Sequence, residues 1–373
     1  MNIVILSNRF FSIYNSRQKI IKSLLQQGNK ITIIADFDGF ERDIKKLDNR
    51  KNLSCVNFSF SATSLFFGSI YSLKKEIKKE NPDIVHAYNP IPIYAGAFLK
   101  LFIEYKLIIT ITGLGGAYGH NSKAVLLYNY FYKFSIRRSD KVVFQNKDDF
   151  EYFSNKLGQT ELNKVIVITS SGVDMKRFDE KKTSDSYSGK ELFRILFISR
   201  LIKQKGIKYL ILAAKKLAVH TDIQIHIYGE YDENHNDSIS YFEYHELLNL
   251  PNITFHGFIK NIEKIYVNHD LLVCCSLREG VPRVILEASA SGVPVVAYDV
   301  AGVKEGVADG LNGFLVPAFD VSKFKEEIIR LKENQQLYNK ISKSSRSFVQ
   351  TKFSQEAILK KYMEIYNQLI DNS

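Results

Sequence analysis

The feature that most constrains this chain is an alternation that runs along it twice. Short apolar runs, NIVILS, KITIIA, DIVHAY and KLIITITG, are separated by the longer segments SRQKIIKSLLQQG, SLKKEIKKENP and IYAGAFLKLF. Runs this short and this apolar suit strands buried on both faces, and such strands lie parallel only when a crossover, usually a helix, joins them. The pattern lapses at DEKKTSDSYSGKE, residues 179–191, which carries Gly, Ser and Asp and no apolar period. It then restarts with FRILFIS, GIKYLILAAKKLAV, IQIHIYGE, NITFHGF, a helix over NIEKIYVNH, DLLVCCS, PVVAYD and FLVP. The fold class expected is therefore α/β with two doubly wound, Rossmann-like domains, residues 1–178 and 192–353, joined by a linker at 179–191. The helices KFKEEIIRLKEN and QEAILKKYMEIYNQLI close the chain, and the last of them, about 354–373, is expected to pack back on the first domain. A length of 373 residues exceeds one ordinary core and is comfortable for two. Doubly wound domains bind ligands at the C-terminal ends of their strands, so the chemistry is expected in a cleft between the two.

Several function classes are excluded by what the sequence lacks. No run of 18 or more apolar residues suggests a membrane span, and MNIVILSNRF enters a strand pattern rather than an export signal, so a cytoplasmic protein is expected. Cys55 stands alone, and the neighbours Cys274 and Cys275 point to opposite faces of a strand, which implies neither a disulfide nor a zinc framework. The formal net charge of +11 is uneven: residues 1–180 carry 26 Lys and Arg against 17 Asp and Glu, the remainder 25 against 23. A basic first half favours nucleic acid, an anionic lipid surface or a phosphate-bearing substrate.

The stretch REGVPRVILE, residues 278–287, places Glu279 and Glu287 on either side of an expected helix start near Pro282. Helix N-termini present unpaired N–H groups to phosphates and hydroxyls, although a capping Glu279 and a solvated Glu287 also fit the pattern. After the strand FRILFIS comes RLIKQKG, with Arg200 at the strand end and Lys205 just before Gly206 and the next helix. A guanidinium fork and an ammonium there can neutralise a diphosphate without a metal, and they also suit an ordinary basic loop. Two further strand ends carry Gly229 with Glu230, and Gly257 with Phe258 and Ile259. Glycine lets backbone approach a ligand and an apolar neighbour can face a flat base, yet glycine after a strand is also simply a turn. In order along one sheet edge, these residues offer partners for phosphate, base, ribose and hexose.

Together the motifs resemble the retaining glycosyltransferases of family 4, which have the two-domain GT-B fold facing a central cleft. The resemblance rests on SRLIKQKG, the Glu-x7-Glu of REGVPRVILE, SGVDMKRF, and the block ASASGVPVVAYDVAGVKEGVADGLNGFLVP, and covers almost the whole chain. It implies that Glu279 contacts the donor sugar, with backbone N–H groups near Gly280 and Val281, beside Pro282, helping to fix it. It also implies that Glu287 holds the ribose hydroxyls, and that Arg200 and Lys205 take up charge on the departing nucleoside diphosphate. Gly229, Glu230, Phe258 and Ile259 complete the expected donor site. The resemblance further implies retention of configuration, no covalent nucleophile, no cofactor and no metal.

The first domain departs from the family pattern. SNRFFSIYNSR is expected to form its first loop, without the family's Gly-Gly pair, and TITGLGGAYGH stands where the family's His is expected. Thr112, Gly113, Gly115, Gly116 and His120 are the acceptor-side candidates, because a TGLG element resembles that of a subgroup acting on polyprenyl-diphosphate-linked sugars in bacterial surface polysaccharide and glycan assembly. Arg17 is a second phosphate candidate, and it equally suits a capped surface helix. His86 in DIVHAYNP faces either the cleft or the core. The segments AVLLYNYFYKFSIRRSDK and FLKLFIEYK mix Phe, Tyr and Leu with Lys133, Arg137 and Arg138, as contact with an anionic membrane surface requires. The partners expected are thus a nucleotide sugar, with a UDP-sugar favoured, a lipid-linked glycan and the inner face of the plasma membrane. Two rival readings are a nucleotide-sugar epimerase of the same fold and, from a pI near 9.2, a nucleic-acid-binding protein, although no recognisable nucleic-acid module accompanies the charge.

Overall fold

A computed structural model of the chain describes residues 1–48, 52–60, 67–114, 123–178 and 192–370. The chain divides into two compact units, Met1–Ser171 with the C-terminal segment from Ile358, and Gly172–Ala357. The first is built on seven parallel strands: β1 (Asn2–Arg9), β2 (Lys30–Asp36), β3 (Leu53–Asn57), β4 (Ile84–Tyr88), β5 (Lys106–Ile111), β6 (Lys141–Phe144) and β7 (Val165–Val167). Their spatial order is β3-β2-β1-β4-β5-β6-β7. The second has six: β8 (Phe193–Ile198), β9 (Ile223–Tyr228), β10 (Ile253–Gly257), β11 (Leu271–Cys274), β12 (Val295–Tyr298) and β13 (Gly313–Val316), in the order β10-β9-β8-β11-β12-β13.

Burial explains why these runs are apolar at consecutive positions. Ile3 and Ile5 of β1 pack with the helix Gln18–Gln26 on one face, while Val4 and Leu6 join a separate cluster on the other. Successive side chains of a strand point to opposite faces, so a strand covered on both must be apolar throughout. The helix Gln18–Gln26 buries Ile20, Ile21, Leu24 and Leu25, a stripe at helical spacing, and leaves its Gln and Lys residues outward. In the second unit Cys275 and Cys274 fall into opposite clusters, and burial raises both thiols above their usual range.

Locally, the structure differs from the expectations in several places. SNRFFSIYNSR is not a loop: β1 runs to Arg9 and a helix follows over Phe10–Ser16, because Phe10 and Ile13, three apart, are both buried. NIEKIYVNH supplies only the four-residue helix Glu263–Tyr266. The helix Gln335–Phe353 is one that the sequence reading does not contain; its Ser- and Lys-rich sequence dilutes an apolar stripe of Tyr338, Ile341, Val349 and Phe353. Residues 172–178 belong with the second unit, where the Val173 amide donates to the Phe353 carbonyl and Arg346 donates to the carbonyls of Met175 and Phe178. The linker 179–191 lies outside the described residues. Among those residues, no helix is long and apolar enough to cross a membrane.

The last helix, Gln355–Ile370, buries Ile358, Tyr362, Ile365, Tyr366 and Leu369 in the core of the first unit. His86 meets it there. Its Nδ1 lies 2.7 Å from the Tyr366 hydroxyl and 3.1 Å from that of Tyr88, and its Nε2 lies 2.8 Å from the Thr110 hydroxyl. This is a core histidine satisfied by hydroxyls, mid-strand rather than at a strand end. Arg17 is also interior, 4% exposed, with its guanidinium 4.5 Å over the Tyr88 ring. It is neither an open phosphate ligand nor a surface helix residue, because it sits at the junction of two helices whose apolar faces are turned into the core.

Burial depresses His86 well below the usual histidine value of 6.5, helped by Arg17, and it lowers His269 of the second unit to about 4. A folded-state value below the unfolded one means the unfolded chain binds more protons, so stability is complete above about pH 6.5 and declines as pH falls from there toward 4. Unfolding free energies from urea titrations across that window should decrease, by an amount on the order of 2–3 kcal/mol from His269 alone. A flat profile between about pH 7 and 4.5 would contradict the buried, neutral state of these rings.

Candidate functional site

The winding of the second sheet reverses between β8 and β11, which are adjacent in space and distant in sequence. At such a point the loops leaving the two strands diverge and open a crevice at their C-terminal ends. The β8 loop carries Arg200 and Lys205, and the β11 loop carries Ser276 and Glu279. Backbone hydrogen bonds tie this edge together strand by strand. The Gly229 amide donates to the Gly257 carbonyl at 2.9 Å, Leu201 to Glu230 at 2.8 Å, Leu277 to Gln204 at 2.9 Å and Glu279 to Ala301 at 3.0 Å. Residues far apart in sequence are thereby held in one continuous rim.

Two glycines permit this closeness. Gly206 has φ +72°, and a Cβ there would fall 1.9 Å from the Cys275 carbonyl oxygen. Gly302 has φ +77°, and a Cβ there would fall 1.9 Å from the Gly280 carbonyl oxygen and 2.2 Å from that of Glu279. The first presses the Lys205 turn onto the end of β11, and the second seats the Glu279–Gly280 backbone. Gly229 is also tightly packed, since a Cβ there would meet the Ser199 carbonyl oxygen at 1.7 Å.

Across the crevice the Lys205 ammonium donates to Glu279 Oε1, which also accepts from the Ser276 hydroxyl at 2.8 Å. Glu279 therefore does not cap the helix that follows; that helix spans Arg283–Ala290 with Pro282 as the residue before its first turn. Gly280 and Val281 are half-buried in the approach to it. Arg200 is exposed, with Nη1 3.3 Å from His235 Nε2. Glu230, Phe258 and Ile259 are exposed on the same rim.

Glu287 is not a solvated charge. It is buried, with Oε1 accepting from Arg283 Nε at 3.2 Å and Nη2 at 3.1 Å, and Oε2 accepting from the Tyr266 hydroxyl at 2.7 Å. Arg283 also donates from Nη1 to the Gly172 carbonyl at 3.4 Å. Ser276, Tyr266, Arg283, His235 and Gly302 also meet here, beyond the residues expected from the motifs. Arg283 sits four residues before Glu287, a spacing that places the pair on one helix face and could have revealed it. Tyr266 carried no comparable signal.

On the first unit Thr112 and Gly113 follow β5, and the Leu114 amide donates at 3.0 Å to the buried Asp149 carboxylate, which fixes the start of that loop. Gly115, Gly116 and His120 lie outside the described residues. Among the described residues, no group of three or more His, Cys, Asp or Glu side chains is arranged to hold a metal ion.

Comparison with known proteins places both halves. Residues 178–348 match the family model for glycosyl transferases group 1, and residues 3–146 match that for glycosyl transferase 4-like domains. A Campylobacter jejuni protein, N,N'-diacetylbacillosaminyl-diphospho-undecaprenol alpha-1,3-N-acetylgalactosaminyltransferase, is 26% identical over 392 residues, covering 100% of each chain. An Escherichia coli protein, UDP-Gal:alpha-D-GlcNAc-diphosphoundecaprenol alpha-1,3-galactosyltransferase, is 24% identical over 312 residues, covering 82% of this chain and 80% of its own. In fold, the chain resembles sucrose-phosphate synthase from Thermosynechococcus elongatus with a TM-score of 0.82 at 20% identity, over 100% of this chain and 99% of that one.

The Gly302 contact is directly testable. Gly302→Ala should push the Glu279–Gly280 backbone out of place, cutting sugar transfer about tenfold or more while the urea midpoint moves far less than activity does. Unchanged transfer by that variant would show that this backbone seat is irrelevant to the site.

Proposed function

The chain is a glycosyltransferase of the GT-B fold, a glycosyl transferase 4-like domain followed by a group 1 domain, and from that premise we propose that it moves a sugar from a UDP-sugar donor to a polyprenyl-diphosphate-linked glycan, with retention, forming an α-glycosidic bond in surface polysaccharide or glycan assembly. The observation that carries this reading is the Lys205–Glu279 contact at the switch point of the second sheet. A cation and a carboxylate held within one crevice match a donor that is anionic at its diphosphate and hydroxylated at its sugar. The relatives from Campylobacter jejuni and Escherichia coli, whose names give undecaprenol-diphosphate acceptors and alpha-1,3 linkages, support the acceptor class and the linkage. The Escherichia coli relative, whose name gives UDP-Gal, supports a uridine donor.

In this reading Lys205 exchanges Glu279 for the β-phosphate when the donor binds, and Arg200 leaves His235 to take the other phosphate. Both cations then gain strength as negative charge builds on the departing diphosphate, which is stabilisation of the transition state above the ground state. Glu279, released from the ammonium and still held by Ser276, accepts hydrogen bonds from the sugar hydroxyls. Glu287 accepts from the ribose. The acceptor hydroxyl attacks on the face the diphosphate leaves, and the leaving phosphate takes the proton, so no protein nucleophile and no metal is needed.

A lipid-linked acceptor requires the enzyme to work at a membrane, and the first unit carries a suitable surface. The helices Phe67–Glu80, Pro90–Leu99 and Lys123–Arg138 cover one face of the first sheet. Their outward positions, with the turn at Leu101 and Phe102, expose Tyr71, Leu101, Phe102, Leu126, Leu127 and Tyr130. Leu126 is 71% exposed and Tyr130 66%, and the apolar side chains these helices expose lie beside basic ones. Lys74 lies 4.6 Å over the Phe102 ring, and Lys133, Arg137 and Arg138 lie on the same layer of helices. Apolar rings and leucines dip between headgroups while the cations meet anionic lipid, which is peripheral association with the inner face of the plasma membrane.

Lys205→Ala and Glu279→Ala should each reduce transfer about 100-fold or more while circular dichroism stays native-like. Near-normal rates in either would overturn the site. Transfer should persist in EDTA. Replacing Leu126, Leu127 and Tyr130 together by Ser should weaken sedimentation with anionic vesicles on the order of tenfold, and equal binding by the triple variant would remove this face from consideration.

A further inference from the structure

The two oxygens of the Glu287 carboxylate are engaged unequally. Oε1 accepts twice, from Nε and Nη2 of Arg283, and Oε2 accepts once, from the Tyr266 hydroxyl at 2.7 Å. A carboxylate offers about four lone-pair sites, two on each oxygen. Oε1 is therefore saturated, and the acceptor site left for a ligand is on Oε2. Arg283 is not free to relinquish Oε1, because its Nη1 donates at the same time to the Gly172 carbonyl.

Tyr266 is suited to fix the other oxygen. It is fully buried, with its ring edge-on to Phe178 at 5.7 Å between centroids, so packing fixes its ring. Burial, then the adjacent carboxylate, raise its phenol well above the usual value, which keeps the hydroxyl a donor. The ring already fills the core, so the hydroxyl adds orientation rather than volume. A lone phenol aimed at one oxygen of an already paired carboxylate has the form of an orienting device.

We propose that Tyr266 is a positioning residue that turns Glu287 so that it offers a single acceptor site, on Oε2, to one hydroxyl of the donor ribose. This inference rests on the reading that Glu287 meets the ribose. Its consequence is selectivity within the sugar: one ribose hydroxyl makes a charge-assisted hydrogen bond and the other does not. A carboxylate free to rotate would accept from both.

The test uses UDP, 2'-deoxy-UDP and 3'-deoxy-UDP, titrated calorimetrically into the full-length protein and into Tyr266→Phe. In the unmodified protein one deoxy analogue should bind about tenfold more weakly than UDP, the loss of one hydrogen bond to a charged group, and the other should stay within about twofold. In Tyr266→Phe, which keeps the ring, that preference should shrink to about threefold or less while the thermal transition stays cooperative. Equal weakening by both analogues in the unmodified protein would overturn the single acceptor site, and this arm needs no substitution. A variant that keeps the full preference would overturn the role of Tyr266. If the unmodified protein binds all three alike, Glu287 does not meet the ribose and the underlying reading fails with it; if UDP itself does not bind, the uridine donor is wrong.

Discussion

Parallel strands can be joined only by crossovers, and crossovers bring every strand's C-terminal end to the same edge of the sheet. This constraint organises the second unit. Five strand ends meet there through backbone hydrogen bonds between Gly229 and Gly257, Leu201 and Glu230, Leu277 and Gln204, and Glu279 and Ala301. Lys205, Glu279 and Arg200 inherit their positions from this stitching. Gly206 and Gly302 matter for the same reason, since a methyl group at either would force apart loops whose backbones touch.

Three of the cations at this edge have partners within the protein. Lys205 lies on Glu279, Arg200 on His235, and Arg283 on Glu287. An unpaired charge in a half-buried crevice is costly, and mutual pairing avoids that cost. It also keeps each group close to where a donor would need it, so exchange of partners requires side-chain rotation and little backbone movement. The pairs differ in commitment. Lys205 and Glu279 come from separate loops, whereas Arg283 and Glu287 share one helix and are held further by Tyr266 and the Gly172 carbonyl.

The doubly wound architecture is legible because strands covered on both faces must be apolar at consecutive positions, and KITIIA and DLLVCC advertise that in one dimension. The Glu-x7-Glu spacing and the Arg and Lys of SRLIKQKG are legible because each motif lies within one loop or helix start. What the sequence hides depends on tertiary contact. SNRFFSIYNSR reads as a loop although Phe10 and Ile13 are buried in a helix, because aromatic residues obscure a helical stripe. Arg17 reads as an open phosphate ligand, and only the fold shows Tyr88 beneath it. Tyr266 is invisible since its partner is 21 residues away. The spacing singles out Glu287, but does not show that Arg283 and Tyr266 already occupy most of its acceptor capacity.

The path of the final helix bears on how the molecule comes into being. Tyr362 and Tyr366 lie under the first sheet, against His86 and Gln145, yet the whole of the second unit, Gly172–Ala357, separates them in sequence from Ser171. At about 5–20 residues per second of synthesis, the nascent first unit waits roughly 10–40 seconds for its last structural piece. In the complete chain this helix covers His86, Thr110 and the isoleucines around them. The core of the first unit can therefore close only after the second unit has been synthesised.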